Sequence, residues 1–211
     1  MEDRKPWRLT WDEEGYTYAY FVKGKDSDRH EELFKEVVNR HIDNKADCLQ
    51  VGIPHGIDRE FGGEGKKFGK NFIAIDLYDQ NPEIDYNVDL SDTPFDSDCF
   101  DFIVCPAILE HVKDPFKCVD EIYRILKNGG EVWCEVPFFQ PFHPFKGYNE
   151  DDMGLALDDQ QIEFTGDEDH GGDYWRFTPQ GVRQLFRRFE LIEMFLCREG
   201  GICFYGRKPE A

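Results

Sequence analysis

The chain predicts an open α/β sheet of seven strands, mostly parallel, with helices on both faces. Two observations carry this. Residues 89–137 read without a break as strand end, loop, buried strand, loop, capped helix and second buried strand, the order of a parallel sheet built by crossovers. Short apolar runs bounded by turns then recur on both sides of that stretch, at 46–51, 71–75, 191–197 and 202–205.

Taken in order, residues 16–22 (YTYAYFV) alternate in an aromatic pattern suited to a strand, packed at an edge or covering a cleft. Residues 28–42 predict a helix, with Asp28 and Glu31 at capping-box spacing and Leu33, Phe34, Val37, Val38 and Ile42 on one face, expected to pack on the sheet. The run at 46–51 is a first strand, followed by the turn Gly52-Ile53-Pro54-His55-Gly56. Residues 71–75 form a second strand ending at Asp76-Leu77, and residues 84–88 a third, ending at Asp89-Leu90. An acid about twenty residues after a glycine turn is placed to accept hydrogen bonds from ribose hydroxyls. Residues 102–105 are a fourth strand, buried on both faces. The helix after it has Asp114 as N-cap, Pro115 at its first position and apolar residues at 119, 122, 123 and 126, and it stops at Asn128-Gly129-Gly130. Residues 131–136 are the fifth strand. Thr178 and Pro179 open a last helix through Val182, Leu185 and Phe186, and the closing hairpin turns at residues 198–201.

The segments LQVGIPHG, FIAIDL, VDLSDTPF, FDFIVCPAILEHV, EIYRILKNGGEV and DYWRFTPQGVRQLF, in this order, resemble the successive motifs of the class I S-adenosylmethionine-dependent methyltransferases. The resemblance covers residues 46–144 and 173–206 and implies a Rossmann-like fold with the antiparallel hairpin last. It implies further that Gly52, Ile53, His55 and Gly56 pass under the methionine part of the cofactor and that Asp76, with Leu77, holds the ribose. Asp89 and Leu90 would flank the adenine, and Cys105 and Pro106 would lie near the sulfonium. LEHV together with PF…FHPF and DYWRFTP is similar to a subgroup associated with surface-glycan synthesis. The chain departs from the family at two points. Pro54 stands at the usual central glycine, where it fixes φ and removes a donor, and Gln50 replaces the usual acid two residues before Gly52. A nicotinamide-dependent dehydrogenase, the other reading of a glycine turn plus acid, lacks support because GxGxxG is absent.

Composition agrees with a single domain over residues 1–211, with 1–45 as an N-terminal cover and helix and 145–172 as an acidic insert or lid. At 40% hydrophobic content, 211 residues can bury one substantial core. The first eight residues are charged and polar, with no apolar signal region, and no apolar run has the length of a membrane span. Seven cysteines without a CxxC pair read as small core residues in a reducing compartment, so a cytoplasmic location is expected.

The formal net charge is −19, from 44 acids against 25 bases. Such a surface repels polyphosphates, and sequence-independent nucleic-acid affinity comes mainly from basic residues, so DNA and RNA are not expected partners. Residues 149–169 hold nine acids and no base, and follow the fifth strand where a lid over a polar or cationic acceptor would sit.

Methyl transfer to a hydroxyl needs alignment, desolvation and a base. His143, just beyond the fifth strand, is the first candidate base; His111, after the fourth, is the second. Asp173 is placed to orient the base or bind a substrate hydroxyl. Tyr174 and Trp175 offer a stacking face and Arg176 a donor fork. A divalent metal is possible through His143, Asp173 and the insert, but no spacing is specific for one and none is expected. The expected activity is O-methylation of a sugar hydroxyl in a glycan or glycan precursor. A small metabolite or a protein side chain as acceptor, or a non-catalytic cofactor-binding subunit, are the alternatives.

Overall fold

Alternation along the central strands builds a core on both faces of one sheet. A computed structural model describes residues 9–11, 17–19, 26–52, 72–77, 84–140, 156–158, 161–163, 172–196 and 200–211. Its main sheet contains β3 (Cys48–Val51), β4 (Phe72–Asp76), β5 (Tyr86–Asn87), β6 (Phe100–Pro106), β7 (Leu126–Pro137), β10 (Glu190–Leu196) and β11 (Gly201–Arg207), in the order β10-β11-β7-β6-β3-β4-β5. The five strands from β7 to β5 run parallel, while β11 lies antiparallel between β7 and β10. This is the predicted seven-stranded architecture.

Successive side chains on a strand point to opposite faces. Leu49, Ile103, Cys105, Val132, Cys134 and Phe204 therefore meet α2 (Pro115–Ile125) and α3 (Pro179–Leu185) on one face. Cys48, Phe102, Val104, Trp133, Cys203 and Tyr205 meet Phe34, Val37 and Val38 of α1 (Asp26–Asp43) on the other. Both faces of the central strands are buried, which is why their sequences are near-continuous apolar runs.

Helix starts follow the predicted chemistry. Asp114 Oδ1 accepts the Lys117 N–H at 3.0 Å and Thr178 Oγ1 accepts the Gly181 N–H at 3.0 Å, each with proline opening the helix. Asp114→Ala is expected to cost about 1 kcal/mol, read as a lower urea midpoint at unchanged slope; an unmoved midpoint would show the cap to be dispensable.

Several boundaries differ from the sequence expectation. The first helix begins at Asp26, so Asp28 lies inside it and is not its cap. The second ends at Ile125, and Asn128-Gly129-Gly130 belongs to β7. The C-terminal tail decides this: Gly129 N–H donates to Lys208 O, Lys208 N–H to Gly130 O, and Lys208 Nζ to Leu126 O. These long-range bonds hold the segment extended where local sequence alone would stop a helix. The third strand shrinks to two residues. The aromatic N-terminal segment contributes β2 (Thr17–Ala19), which pairs with β1 (Leu9–Trp11) in a sheet of its own and not at the edge of the main sheet. Within the insert, β8 (Ala156–Asp158) pairs with β9 (Gln161–Glu163); most of the proposed lid lies outside the described residues. No helix among the described residues is long and apolar enough to cross a membrane.

Candidate active site

Ligands in open α/β sheets collect beyond the carboxyl ends of the strands, where β3, β4, β6 and β7 end side by side. At the end of β3, Gly52 adopts φ +79°, and its N–H donates to Ile75 O at 2.8 Å. A Cβ there would lie 2.3 Å from Ile108 Cδ1 and 3.9 Å from Asp76 Oδ2, so the glycine lets Ile108 of the β6 loop pack directly on the backbone beside the acid of β4. Gln50, buried in β3, donates from Nε2 to Gly52 O at 2.8 Å. The residue that departs from the family pattern thus braces the turn from beneath.

Asp76 ends β4 and is 7% exposed. Its carbonyl accepts the Val88 N–H at 3.0 Å and Asn87 Nδ2 at 3.3 Å, which ties the end of β4 to β5, while Leu77 is exposed. Asp89 turns back on its own backbone, with Oδ1 accepting the Ser91 N–H at 2.7 Å, and Leu90 is buried in the core.

Cys105 is fully buried opposite Cys134, and Pro106 ends β6. Ala107 takes φ +50°, a left-handed conformation uncommon for a residue with a side chain, and its N–H donates to Glu135 O at 3.0 Å. The chain reverses there, which sets Ile108 against Gly52, Leu109 into the core and Glu110 into the interior. Glu110 has no exposed surface, and neither carboxylate oxygen has a hydrogen-bond partner. Burial, aided by the like charges of Asp173 and Glu135, pushes its carboxyl up to about 8 against the partial relief of Arg176.

The segment 172–177 is laced to this loop. Tyr174 N–H donates to Glu110 O at 2.7 Å, Trp175 Nε1 to Val112 O at 2.8 Å, and His111 Nδ1 lies 3.1 Å from Gly172 O. Arg176 grips both oxygens of Asp173 and reaches Gln140 O from Nε at 3.1 Å. Tyr174 and Trp175 keep 42% and 41% of their surface exposed, and Phe139 beyond β7 keeps 42%, so three aromatic faces stand at this end of the sheet.

The fold therefore gathers Gly52, Asp76, Asp89, Leu90, Cys105, Pro106, His111, Asp173, Tyr174, Trp175 and Arg176 at the strand ends. Ile53, Pro54, His55, Gly56 and His143 lie outside the described residues. Sequence reading passed over Glu110. Its signal was one acid directly after the apolar run Pro106-Ala-Ile-Leu109, ahead of a capped helix. Among the described residues no group of three His, Cys, Asp or Glu is arranged to hold a metal.

Comparison with known proteins agrees with this architecture. Residues 66–134 match the family model described as a methyltransferase domain. The chain is 28% identical over 99 residues to an uncharacterized protein of Methanocaldococcus jannaschii, which covers 42% of this chain and 48% of that protein. It is 44% identical over 50 residues to a demethylmenaquinone methyltransferase of Clavibacter sepedonicus, covering 23% and 20% respectively. The match thus spans about half the length of the first curated relative and a fifth of the second.

Among solved structures, a Burkholderia thailandensis 1,6-didemethyltoxoflavin-N1-methyltransferase with its acceptor and S-adenosylhomocysteine bound has TM-score 0.57 at 15% identity, over 88% of this chain and 85% of that one. A Methanosarcina mazei SAM-dependent methyltransferase has TM-score 0.51 at 18% identity, over 83% and 98%. A chain from the complex between the Haloferax volcanii Trm112 methyltransferase activator and its methyltransferase has TM-score 0.51 at 16% identity, over 88% and 96%. At these identities the likeness is one of fold. By its strand order the chain has the open α/β fold of these structures, and residues 66–134 match a methyltransferase domain.

Proposed function

We propose that this chain transfers the methyl group of S-adenosylmethionine to a polar acceptor, a sugar hydroxyl of a glycan or glycan precursor. The observation that carries the cofactor assignment is the juxtaposition of Gly52 and Asp76 at adjacent strand ends. A glycine with positive φ lets the backbone turn tightly at the end of β3, and the largely buried acid beside it suits ribose hydroxyls. When bound, the cofactor supplies a methyl group on a positively charged sulfur. The protein's share is alignment of the acceptor and exclusion of water.

Segment 172–177, tied to the β6 loop, supplies the acceptor side in this reading. Arg176, bound to Asp173, Trp175 O and Gln140 O, holds this segment in place, and Tyr174, Trp175 and Phe139 offer faces on which a sugar ring can stack. The excess of acids over bases supports an uncharged or cationic acceptor and argues against a nucleic acid. His143 remains the first candidate base and His111, whose Nδ1 lies 3.1 Å from Gly172 O, the second.

Calorimetry tests the cofactor site first: S-adenosylhomocysteine is expected to bind the wild type, and Asp76→Ala to weaken binding by about 1–3 kcal/mol through a lost buried hydrogen bond. Equal binding by wild type and variant would remove Asp76 from the site, and no binding by the wild type would count against the cofactor assignment itself. A panel of glycosides and small metabolites, assayed for methyl transfer, then decides the acceptor. Turnover on small heterocycles alone would replace the sugar, in line with the toxoflavin-type structural neighbour.

A further inference from the structure

Glu110 is the buried ionisable group that the fold leaves unexplained. Its carboxylate is fully buried with both oxygens unpartnered, so it contributes no side-chain hydrogen bond to the fold and carries a desolvation penalty. The groups that face it come from every element packed against it. Asp173 and Arg176 face it from the segment before α3, Glu135 and the Cys134 thiol from β7, and His111 from its own loop, with Nε2 at 3.9 Å from Glu110 Oε1. The cation among them, Arg176, is already held by both oxygens of Asp173. The Glu110 carboxyl therefore sits at the ends of β6 and β7 in acidic company, with His111 Nε2 facing it beyond hydrogen-bond reach.

Resting on the cofactor reading above, we propose that Glu110 is a proton carrier governed by the charge of the bound cofactor. It gives up a proton when the cationic S-adenosylmethionine enters, and takes one back from the acceptor hydroxyl as that charge is consumed. The balance closes. The acceptor oxygen forms the new bond to the methyl carbon, the electron pair of the broken carbon–sulfur bond stays on sulfur, and the hydroxyl proton passes to Glu110.

The physics favours this coupling. With its carboxyl near 8, Glu110 is mostly neutral at pH 7 in the ligand-free protein. A cation within a few ångströms lowers a carboxyl by roughly 1–3 pH units, which takes it to between about half and almost fully ionised at the same pH. S-adenosylhomocysteine lacks the methyl and its positive charge and leaves Glu110 protonated. The acid is thus a weak base toward the product complex and an available one before transfer.

Calorimetric titration at pH 7 in two buffers of different ionisation enthalpy, with S-adenosylmethionine and S-adenosylhomocysteine as separate ligands, counts the protons released. The wild type is expected to release roughly 0.4–0.8 proton more with the methylated ligand. The difference is expected to vanish in Glu110→Gln and to survive in His143→Ala. A variant-free measurement runs in parallel: the infrared band of a protonated carboxylic acid should be present in the free protein and with S-adenosylhomocysteine, and lost with S-adenosylmethionine. Equal proton counts and an unchanged band in the wild type would overturn the proposal, as would a difference that persists in Glu110→Gln. Failure of the wild type to bind either ligand would instead overturn the cofactor reading, and this proposal with it.

Discussion

Glu131→Gln is expected to unfold about 6–12 °C below the wild type, a loss of about 3 kcal/mol for a chain of this length. Glu131 begins the buried part of β7 and is 5% exposed. Its oxygens accept hydrogen bonds from Tyr205 Oη at 2.6 Å and Arg207 at 2.7 Å, lie 3.0 Å from His41 Nε2, and meet Arg40. One carboxylate thus joins α1, β7 and β11. Burial alone would raise its pKa, but the bonds from His41, Tyr205 and Arg207 outweigh that and hold it at about 2.

The sign for pH follows. A carboxyl held below its unfolded value stabilises the fold fully above about pH 4.5, and the contribution fades as pH falls toward 2. The gap in melting temperature between wild type and Glu131→Gln should therefore be widest near neutrality and should narrow in acid. A constant gap across that range would show that shape, not charge, is what the position supplies. Because Arg40 and Arg207 are about half exposed, most of the loss is assigned to the buried His41 and Tyr205 contacts.

Gly52→Val is expected to destabilise the protein by roughly 2–4 kcal/mol and to weaken S-adenosylhomocysteine binding by at least about tenfold. Two costs add. A β-branched residue at φ +79° is strained whatever its surroundings, and the new Cβ falls 2.3 Å from Ile108 Cδ1. Ile108 is a flexible partner, so the two costs can be separated. Gly52→Ala with Ile108→Ala relieves the clash and retains the backbone strain, and the double-mutant cycle measures their coupling. Recovery of stability without recovery of binding would place Gly52 at the ligand. Unchanged binding in Gly52→Val would move the cofactor elsewhere.

Much of this protein was legible in its residue order. The central strands announced themselves because a strand buried on both faces is mostly apolar, as 102–105 is throughout and 132–134 is in the middle of 131–136. Asp114-Pro115 and Thr178-Pro179 marked two helix starts because capping is a local reaction between a side chain and a backbone three residues on. Gly52 and Asp76 could be named as a pair because the spacing of a turn and the next strand end is set by the βαβ unit.

The tertiary structure decided what local chemistry does not encode. Residues 128–130 carry a helix-stop signal and lie in a strand, because Lys208 from the far end of the chain supplies the backbone bonds. Gln50, read as a departure, became a brace only once its amide met Gly52 O. Asp173 and Arg176, read as separate functional candidates, bind each other. Glu110 and Glu131 are both acids in apolar surroundings, and nothing within a few residues of either tells them apart. One is enclosed by partners from positions 40, 41, 205 and 207 and held near 2, while the other is enclosed without any and pushed to about 8. The fate of a buried charge depends on which distant groups reach it, and that is settled by packing and not by sequence neighbours.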